Sequence, residues 1–140
     1  MSQQKISQIL QFWFKKVDPK YGPSFDILWF QPSSEYDKHI TEHFQKDVLE
    51  SLEGKKLDWK KEKDGMMAYI LLNDQFPRNI FRGCPQAFAN DHLSLQATKE
   101  VLANREKYNQ YYLLEKCFIL LPLEHSEKME DQNLMLKESE

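Results

Sequence analysis

Two arginines four residues apart, Arg78 and Arg82, stand in the stretch Asn73-Asp74-Gln75-Phe76-Pro77-Arg78-Asn79-Ile80-Phe81-Arg82-Gly83. Arginine is a permanent cation with five N–H donors, and two of them across one helical turn can grip a carboxylate or phosphate from the same side. The same two could equally be tied to Asp74 and to helix-end carbonyls. Asp74, Gln75 and Asn79 lie within reach of the same turn. A second polar group, Glu124-His125-Ser126-Glu127, follows a long apolar run. Histidine changes protonation near neutral pH, and a neighbouring carboxylate such as Glu127 would tune it. The functional reading is a site for an anionic or polar ligand built from Asp74, Gln75, Arg78, Asn79, Arg82, His125 and Glu127, with His125 and Glu127 as candidate acid and base. The structural reading makes the same residues a salt-bridge and hydrogen-bond network that holds two helix ends together.

Three other constellations carry less. Ser126 adjoins His125, but sequence neighbours on a helix do not face each other, so a nucleophile–base pair is not expected there. His39-Ile40-Thr41-Glu42-His43 matches His-x-x-Glu-His, in which two histidines four apart hold zinc and the glutamate acts as base. Ile40 and Phe44 mark the buried stripe of that helix, which leaves His39 and His43 at the surface; no metal and no cofactor is expected. Cys84 and Cys117 are far apart and fit neither a zinc pattern nor a disulfide framework, so reduced thiols are expected.

These groups must be positioned by helices. Met66-Met67-Ala68-Tyr69-Ile70-Leu71-Leu72 is too continuous for a surface helix and too short to cross a bilayer, which needs roughly 20 apolar residues. It reads as a buried central helix, opened by Asp64 and Gly65 and ended or kinked near Gln75 by Pro77. Tyr111 to Leu121 reads as a second, almost wholly apolar helix, ended by Pro122. Two buried helices opening towards one region would form a pocket of mixed character.

Ahead of these, Ser2 can cap a helix striped by Ile6, Ile9, Leu10, Trp13, Phe14 and Val17. Asp18 to Pro23 stops it. Phe25 to Phe30 is ambiguous between a short helix and an extended segment, with Pro32 ending it. Ser34 and Asp37 resemble an N-terminal cap for a helix carrying Tyr36, Ile40, Phe44, Val48 and Leu52, closed by Gly54. Pro85 suits the first position of a long helix through Leu102, with Asn90, Asp91 and His92 as its polar side. Met129, Leu134 and Leu136 mark a last helix. No alternating segment bounded by hairpin residues signals a strand. The fold class is all-α.

Length and composition allow one domain spanning residues 1–140: 16.8 kDa, 41% hydrophobic and 13% aromatic residues suffice for a core. A net charge of -3 and a pI near 5.8 argue against general nucleic-acid binding. The lysines between Lys55 and Lys63 interleave with acids and read as a solvated connector. The N-terminus lacks the pattern of a secretory leader, so a cytoplasmic location is expected.

The Asp74-Gln75-Phe76-Pro77-Arg78-Asn79 block and Arg82-Gly83 occur together with Phe12-Trp13-Phe14, Trp29-Phe30, Ala87-Phe88-Ala89-Asn90-Asp91 and Leu121-Pro122-Leu123-Glu124-His125-Ser126-Glu127. In that order, over almost the whole chain, they resemble the bacterial domain of unknown function nine-two-four family. The resemblance implies an antiparallel helical array related to tetratricopeptide-like folds, a right-handed superhelix with no established activity. Members usually continue past the His-Ser-Glu segment through further helices, so this chain is expected to be a short form or a fragment, truncated at its C-terminal end. Uncovered apolar faces there favour a homo-oligomer.

The function expected is a binding or interaction module whose polar, arginine-containing pocket takes an anionic small molecule or acidic peptide, with no nucleic-acid or membrane partner. The alternative is a small-molecule enzyme in which His125 and Glu127 move protons while Arg78 and Arg82 hold an anionic substrate.

Overall fold

The structure, a computed structural model, describes residues 2–31 and 33–139. It is all-α apart from one two-residue strand pair. In chain order the elements are α1 (Ser2–Phe14), β1 (Val17–Asp18), β2 (Gly22–Pro23), α2 (Ser34–Leu52), α3 (Lys63–Ile80), α4 (Asp91–Ala103), α5 (Arg105–Asn109), α6 (Leu113–His125) and α7 (Met129–Ser139), with single 3-10 turns at Ile27–Trp29, Leu57–Lys61 and Pro85–Phe88.

The organising element is α3. Every residue from Gly65 to Pro77 is buried, and the helix packs against α1, α2, α4 and α6. An aromatic wedge from α1 and the turn after β2 fills the space between α3 and α6. The Trp13 ring lies 5.7 Å from Phe76 and 5.4 Å from Phe118, and Trp29 lies 4.9 Å from Phe118. The Trp29 indole N–H donates to the Trp13 carbonyl at 2.8 Å, which gives the buried ring its polar partner.

Several local expectations change. Helix α1 starts at Ser2 and stops at Phe14, with Lys15 at a φ of 56°. Val17 is therefore off the helix and exposed. Val17 pairs with Pro23 and Asp18 with Gly22, antiparallel, and Asp18 Oδ1 closes the turn by accepting from the Lys20 and Tyr21 amides. Two residues per strand leave no alternation for a sequence to display. Gly22 is required twice over: its φ is +83°, and a Cβ would sit 2.3 Å from the Tyr112 ring. The Tyr112 hydroxyl donates to the Pro19 carbonyl at 2.8 Å, stapling the hairpin to the start of α6.

The segment 25–30 resolves as a 3-10 turn capped by Asp26; Pro32 lies outside the described residues. Ser33, not Ser34, caps α2, accepting from the Tyr36 amide, and Leu52 at the far end of the expected stripe is exposed. The lysine-rich connector is a 3-10 turn that buries Trp59 and pairs Lys56 with Asp47 and Glu50, and Lys60 with Glu100.

Both apolar helices run through their prolines: α3 continues past Pro77 to Ile80, and α6 past Pro122 to His125. A proline removes one backbone donor, and polar side chains bond carbonyls in the turns that precede it. Asn73 Nδ2 donates to the Tyr69 carbonyl at 2.8 Å and Arg78 Nη1 to the Asp74 carbonyl at 2.7 Å. In α6, Thr98 Oγ1 reaches the Ile119 carbonyl at 2.6 Å from α4. The long helix expected from Pro85 is likewise two pieces, a 3-10 turn and α4, separated by Ala89 and Asn90. Asn90 is buried rather than part of a polar face. Its Nδ2 bonds both Asn73 Oδ1 (2.9 Å) and the Val48 carbonyl (3.1 Å), tying α2, α3 and α4 at one point.

Candidate functional site

Asp74 sits on the last turns of α3 with 1% of its surface exposed. A carboxylate in that position needs donors on every side. Gln75 Nε2 donates to Oδ2 at 2.9 Å; Arg78 Nη1 at 3.2 Å and His125 Nδ1 at 2.9 Å converge on Oδ1. The Asp74–His125 contact joins the C-terminal ends of α3 and α6, so the two polar segments do open towards one region.

Arg78 is held hardest by a residue the sequence did not single out as its partner. Asp91, the first residue of α4, takes Nη1 at 2.8 Å and Nη2 at 3.0 Å in a two-pronged pair. The guanidinium carbon lies 5.3 Å from the Phe88 ring centre. Contacts to Asp74 and Asp91 occupy Nη1 and one Nη2 hydrogen. The Nε–H and the second Nη2–H, which form the other fork of the guanidinium, have no partner among the described residues.

Above these groups lies a cleft of about 720 Å³, lined by Asp74, Arg78, Asp91, His125 and Glu127 among others, with Phe88, Leu95 and Pro122 as apolar wall. His125 Nδ1 is engaged by Asp74, which leaves Nε2, on the far edge of the ring, as the nitrogen available to the cleft. Glu127 and Lys128 are exposed at its rim. Taking Asp74, Asp91 and Glu127 against Arg78 and Lys128, and His92 and His125 as neutral, the lining carries a net charge of -1.

Asn79 and Arg82 belong elsewhere. Both turn to Asp37 at the start of α2: Asn79 Nδ2 at 2.8 Å, Arg82 Nε at 2.8 Å and Arg82 Nη2 at 3.1 Å. Burial pushes the Asp37 carboxyl up, but the Arg82 and Asn79 hydrogen bonds and the Arg82 charge outweigh it and hold the carboxyl below the usual range. The two arginines therefore do not face one ligand as a pair. Helix α3 ends at Ile80, so Arg82 has left the helix and no longer shares a face with Arg78.

Ser126 Oγ donates to Asp131 Oδ2 at 2.6 Å and not to His125. His39 and His43 are exposed and stack on each other at 4.1 Å, with His39 stacked on Phe12 at 4.6 Å. Burial and the neighbouring His43 hold the His39 ring below its ordinary pKa. Among the described residues, no group of three or more His, Cys, Asp or Glu is placed to hold a metal ion, and no described helix is long and apolar enough to cross a membrane. A smaller recess of about 290 Å³ at the start of α3 gathers Lys60, Lys61, Lys63 and Lys107. Glu62 and Glu100 share it, and Lys60 is already paired to Glu100 at 2.8 Å.

No curated protein matches the chain. Among solved structures, it is similar to a protein of unknown function from Agrobacterium tumefaciens, with 26% identity and a TM-score of 0.82, over 96% of this chain and 72% of that one. A model of a family of bacterial proteins of unknown function, DUF924, matches residues 9–140. The buried Asp-Gln-Phe-Pro-Arg-Asn turn, its His-Ser-Glu counterpart and this match together place the chain in the DUF924 family.

Proposed function

We propose that this protein is a binding module whose cleft between the ends of α3, α4 and α6 takes a small molecule bearing one carboxylate and a hydrogen-bond donor. The unpartnered Nε/Nη2 fork of Arg78 carries this reading. Asp91 and Asp74 fix the guanidinium from one edge, and the remaining edge matches a carboxylate. With Nδ1 of His125 engaged by Asp74, Nε2 is the ring nitrogen left to bond an O–H or N–H on the same ligand. The net negative lining disfavours a polyanion and suits a ligand that donates as well as accepts.

A second reading rests on the same Asp74–His125 contact. A buried carboxylate that fixes a histidine tautomer is the arrangement a general base needs, and it supports proton transfer from the bound ligand.

Thermal unfolding with a panel of small carboxylates, phosphates, nucleotides and divalent cations separates the two, since a ligand bound only to the folded state raises its stability. A hydroxy- or amino-carboxylate should stabilise the wild type and not Arg78→Lys, which keeps the charge and loses the fork. His125→Gln then decides the class. A binding module loses part of its affinity, whereas an enzyme keeps ligand-induced stabilisation and loses turnover. A panel in which nothing stabilises the wild type, while Arg78→Lys alone melts lower, would leave the motif as a structural lock.

A further inference from the structure

Charge balance narrows what the cleft at Arg78 can take. Asp91 holds the guanidinium through Nη1 and Nη2, and Asp74 bonds Nη1 as well. With its histidines neutral, the lining stands at -1. A simple carboxylate on the free Nε/Nη2 fork would place a third carboxylate on one guanidinium and bring the total to -2. The ligand must therefore bring a cation of its own. The geometry of Arg78 says where that cation sits. Asp91 Oδ2 lies 3.0 Å from Nη2, on one of its two N–H bonds. A ligand oxygen on the fork takes the other, so the two oxygens stand about 5 Å apart. Asp91 is 32% exposed, and Oδ2 keeps a lone pair for a further donor. An ammonium on the carbon next to the ligand's carboxylate spans that gap, with an N–H···O bond of about 2.8 Å to Asp91. Beside the fork the cleft turns apolar. Phe88 is 60% exposed, 5.3 Å from the guanidinium carbon, and Leu95 and Pro122 complete the wall.

Resting on the carboxylate reading of the cleft given above, we propose that its ligand is a free α-amino acid with a large apolar side chain. Arg78 takes the carboxylate, Asp91 takes the ammonium, and Phe88, Leu95 and Pro122 receive the side chain. A zwitterion leaves the charge of the cleft at -1, where a plain carboxylate would double it. A 2-hydroxy acid offers Asp91 a neutral donor and leaves the added negative charge uncompensated. A peptide end carries only one of the two charges that the Arg78–Asp91 pair reads together. Covering the exposed Phe88 ring with an apolar side chain removes both surfaces from water. The cleft volume of about 720 Å³ lies within the range of roughly 300–1,000 Å³ usual for small-molecule sites.

Isothermal titration calorimetry of the 140-residue chain tests this with L-phenylalanine and probes that each lack one feature. 3-Phenylpropanoate lacks the ammonium, L-phenylalaninamide the carboxylate and L-alanine the apolar side chain. L-Phenylalanine should bind, and each probe at least about tenfold more weakly. Asp91→Asn, which removes the charge and keeps an acceptor for Arg78, should bring L-phenylalanine and 3-phenylpropanoate within about threefold of each other. Should that variant misfold, the wild-type series decides alone. If 3-phenylpropanoate or 3-phenyllactate binds as tightly as L-phenylalanine, the amino-acid assignment is overturned while the carboxylate reading of the cleft stands. Equal affinity for L-alanine overturns the assignment too, by removing the side chain from recognition. A tenfold preference for L-phenylalanine over 3-phenylpropanoate that survives in folded Asp91→Asn does so by taking the ammonium away from Asp91. Failure of both L-phenylalanine and L-leucine to bind overturns it outright. Where no carboxylate binds at all, or where binding is unaltered in Arg78→Lys, the carboxylate reading falls with it.

Discussion

Replacing Arg78 with alanine should cost far more stability than replacing Arg82, although the residue type is the same and four positions separate them. Arg78 makes four N–H···O contacts to Asp74 and Asp91, and Asp74 is 1% exposed. Removing one partner of a buried ion pair costs about 3–5 kcal/mol when the other charge is left alone. Asp74 would keep Gln75 and His125 as donors, and the Asp91 side chain is 32% exposed. These two compensations bring the expected loss to about 2–4 kcal/mol. The Arg82 side chain is 49% exposed and its pair with Asp37 faces solvent, where such pairs contribute about 0–1 kcal/mol. For a chain of 140 residues, 1 kcal/mol moves Tm by roughly 3–4 °C. Arg78→Ala should thus melt about 6–16 °C below wild type and Arg82→Ala no more than about 4 °C below. A double-mutant cycle with Asp74→Asn adds an internal check. Neutralising Asp74 removes the stranded charge, so the double variant should lose about 1–2 kcal/mol less than the sum of the singles. Equal losses for the two arginines, or full additivity in the cycle, would refute the argument that burial of Asp74 sets the magnitude.

Three further outcomes follow from the packing. Gly65→Ala, normally a stabilising change inside a helix, should destabilise by at least about 2 kcal/mol in urea titrations, because its Cβ would meet the Trp59 carbonyl oxygen at 2.1 Å. Asn90→Ala should cost about 1–3 kcal/mol by the same assay, since Asn73 Oδ1 loses its donor in the interior. The Asp37 carboxyl titrates lower in the folded than in the unfolded chain. Its contribution is therefore complete above about pH 4 and disappears as pH falls through the lower folded value, and stability–pH curves should show Arg82→Ala with a shallower acid limb than wild type.

The parts of this fold that local sequence displays are those decided by continuous burial. Met66 to Leu72 is apolar without interruption and lies in a helix buried from Gly65 to Pro77, whereas the run in α6 is buried on one side only, at Phe118, Ile119, Leu120 and Leu123, with Leu113 and Cys117 exposed. Pro77 and Pro122 misled because a proline's missing donor is a local fact. The groups that serve the neighbouring carbonyls, Thr98 for Ile119 among them, come in part from another helix. In the candidate site, Asp74, Arg78 and His125 are legible as polar residues closing apolar runs, and their side chains meet. The partner of Arg78 was not, because Asp91 lies thirteen residues on, at the start of a different helix. A bidentate pair between two elements leaves no periodic trace. Arg82 was misplaced for a related reason: the spacing of four implies one face only while the helix lasts, and α3 ends at Ile80.

The hairpin at Val17–Pro23 also sets an order of events during synthesis. Its staple, the Tyr112 hydroxyl on the Pro19 carbonyl, spans 93 residues, and the Phe118 ring that receives Trp13 and Trp29 lies further on still. At about 5–20 residues per second, the ribosome adds that stretch in roughly 5–20 s. Until α6 emerges, Trp13, Phe14 and Trp29 lack one wall of their site. The N-terminal quarter of the chain is thus made first and finished last, and this nascent interval is when a folding helper would meet the chain.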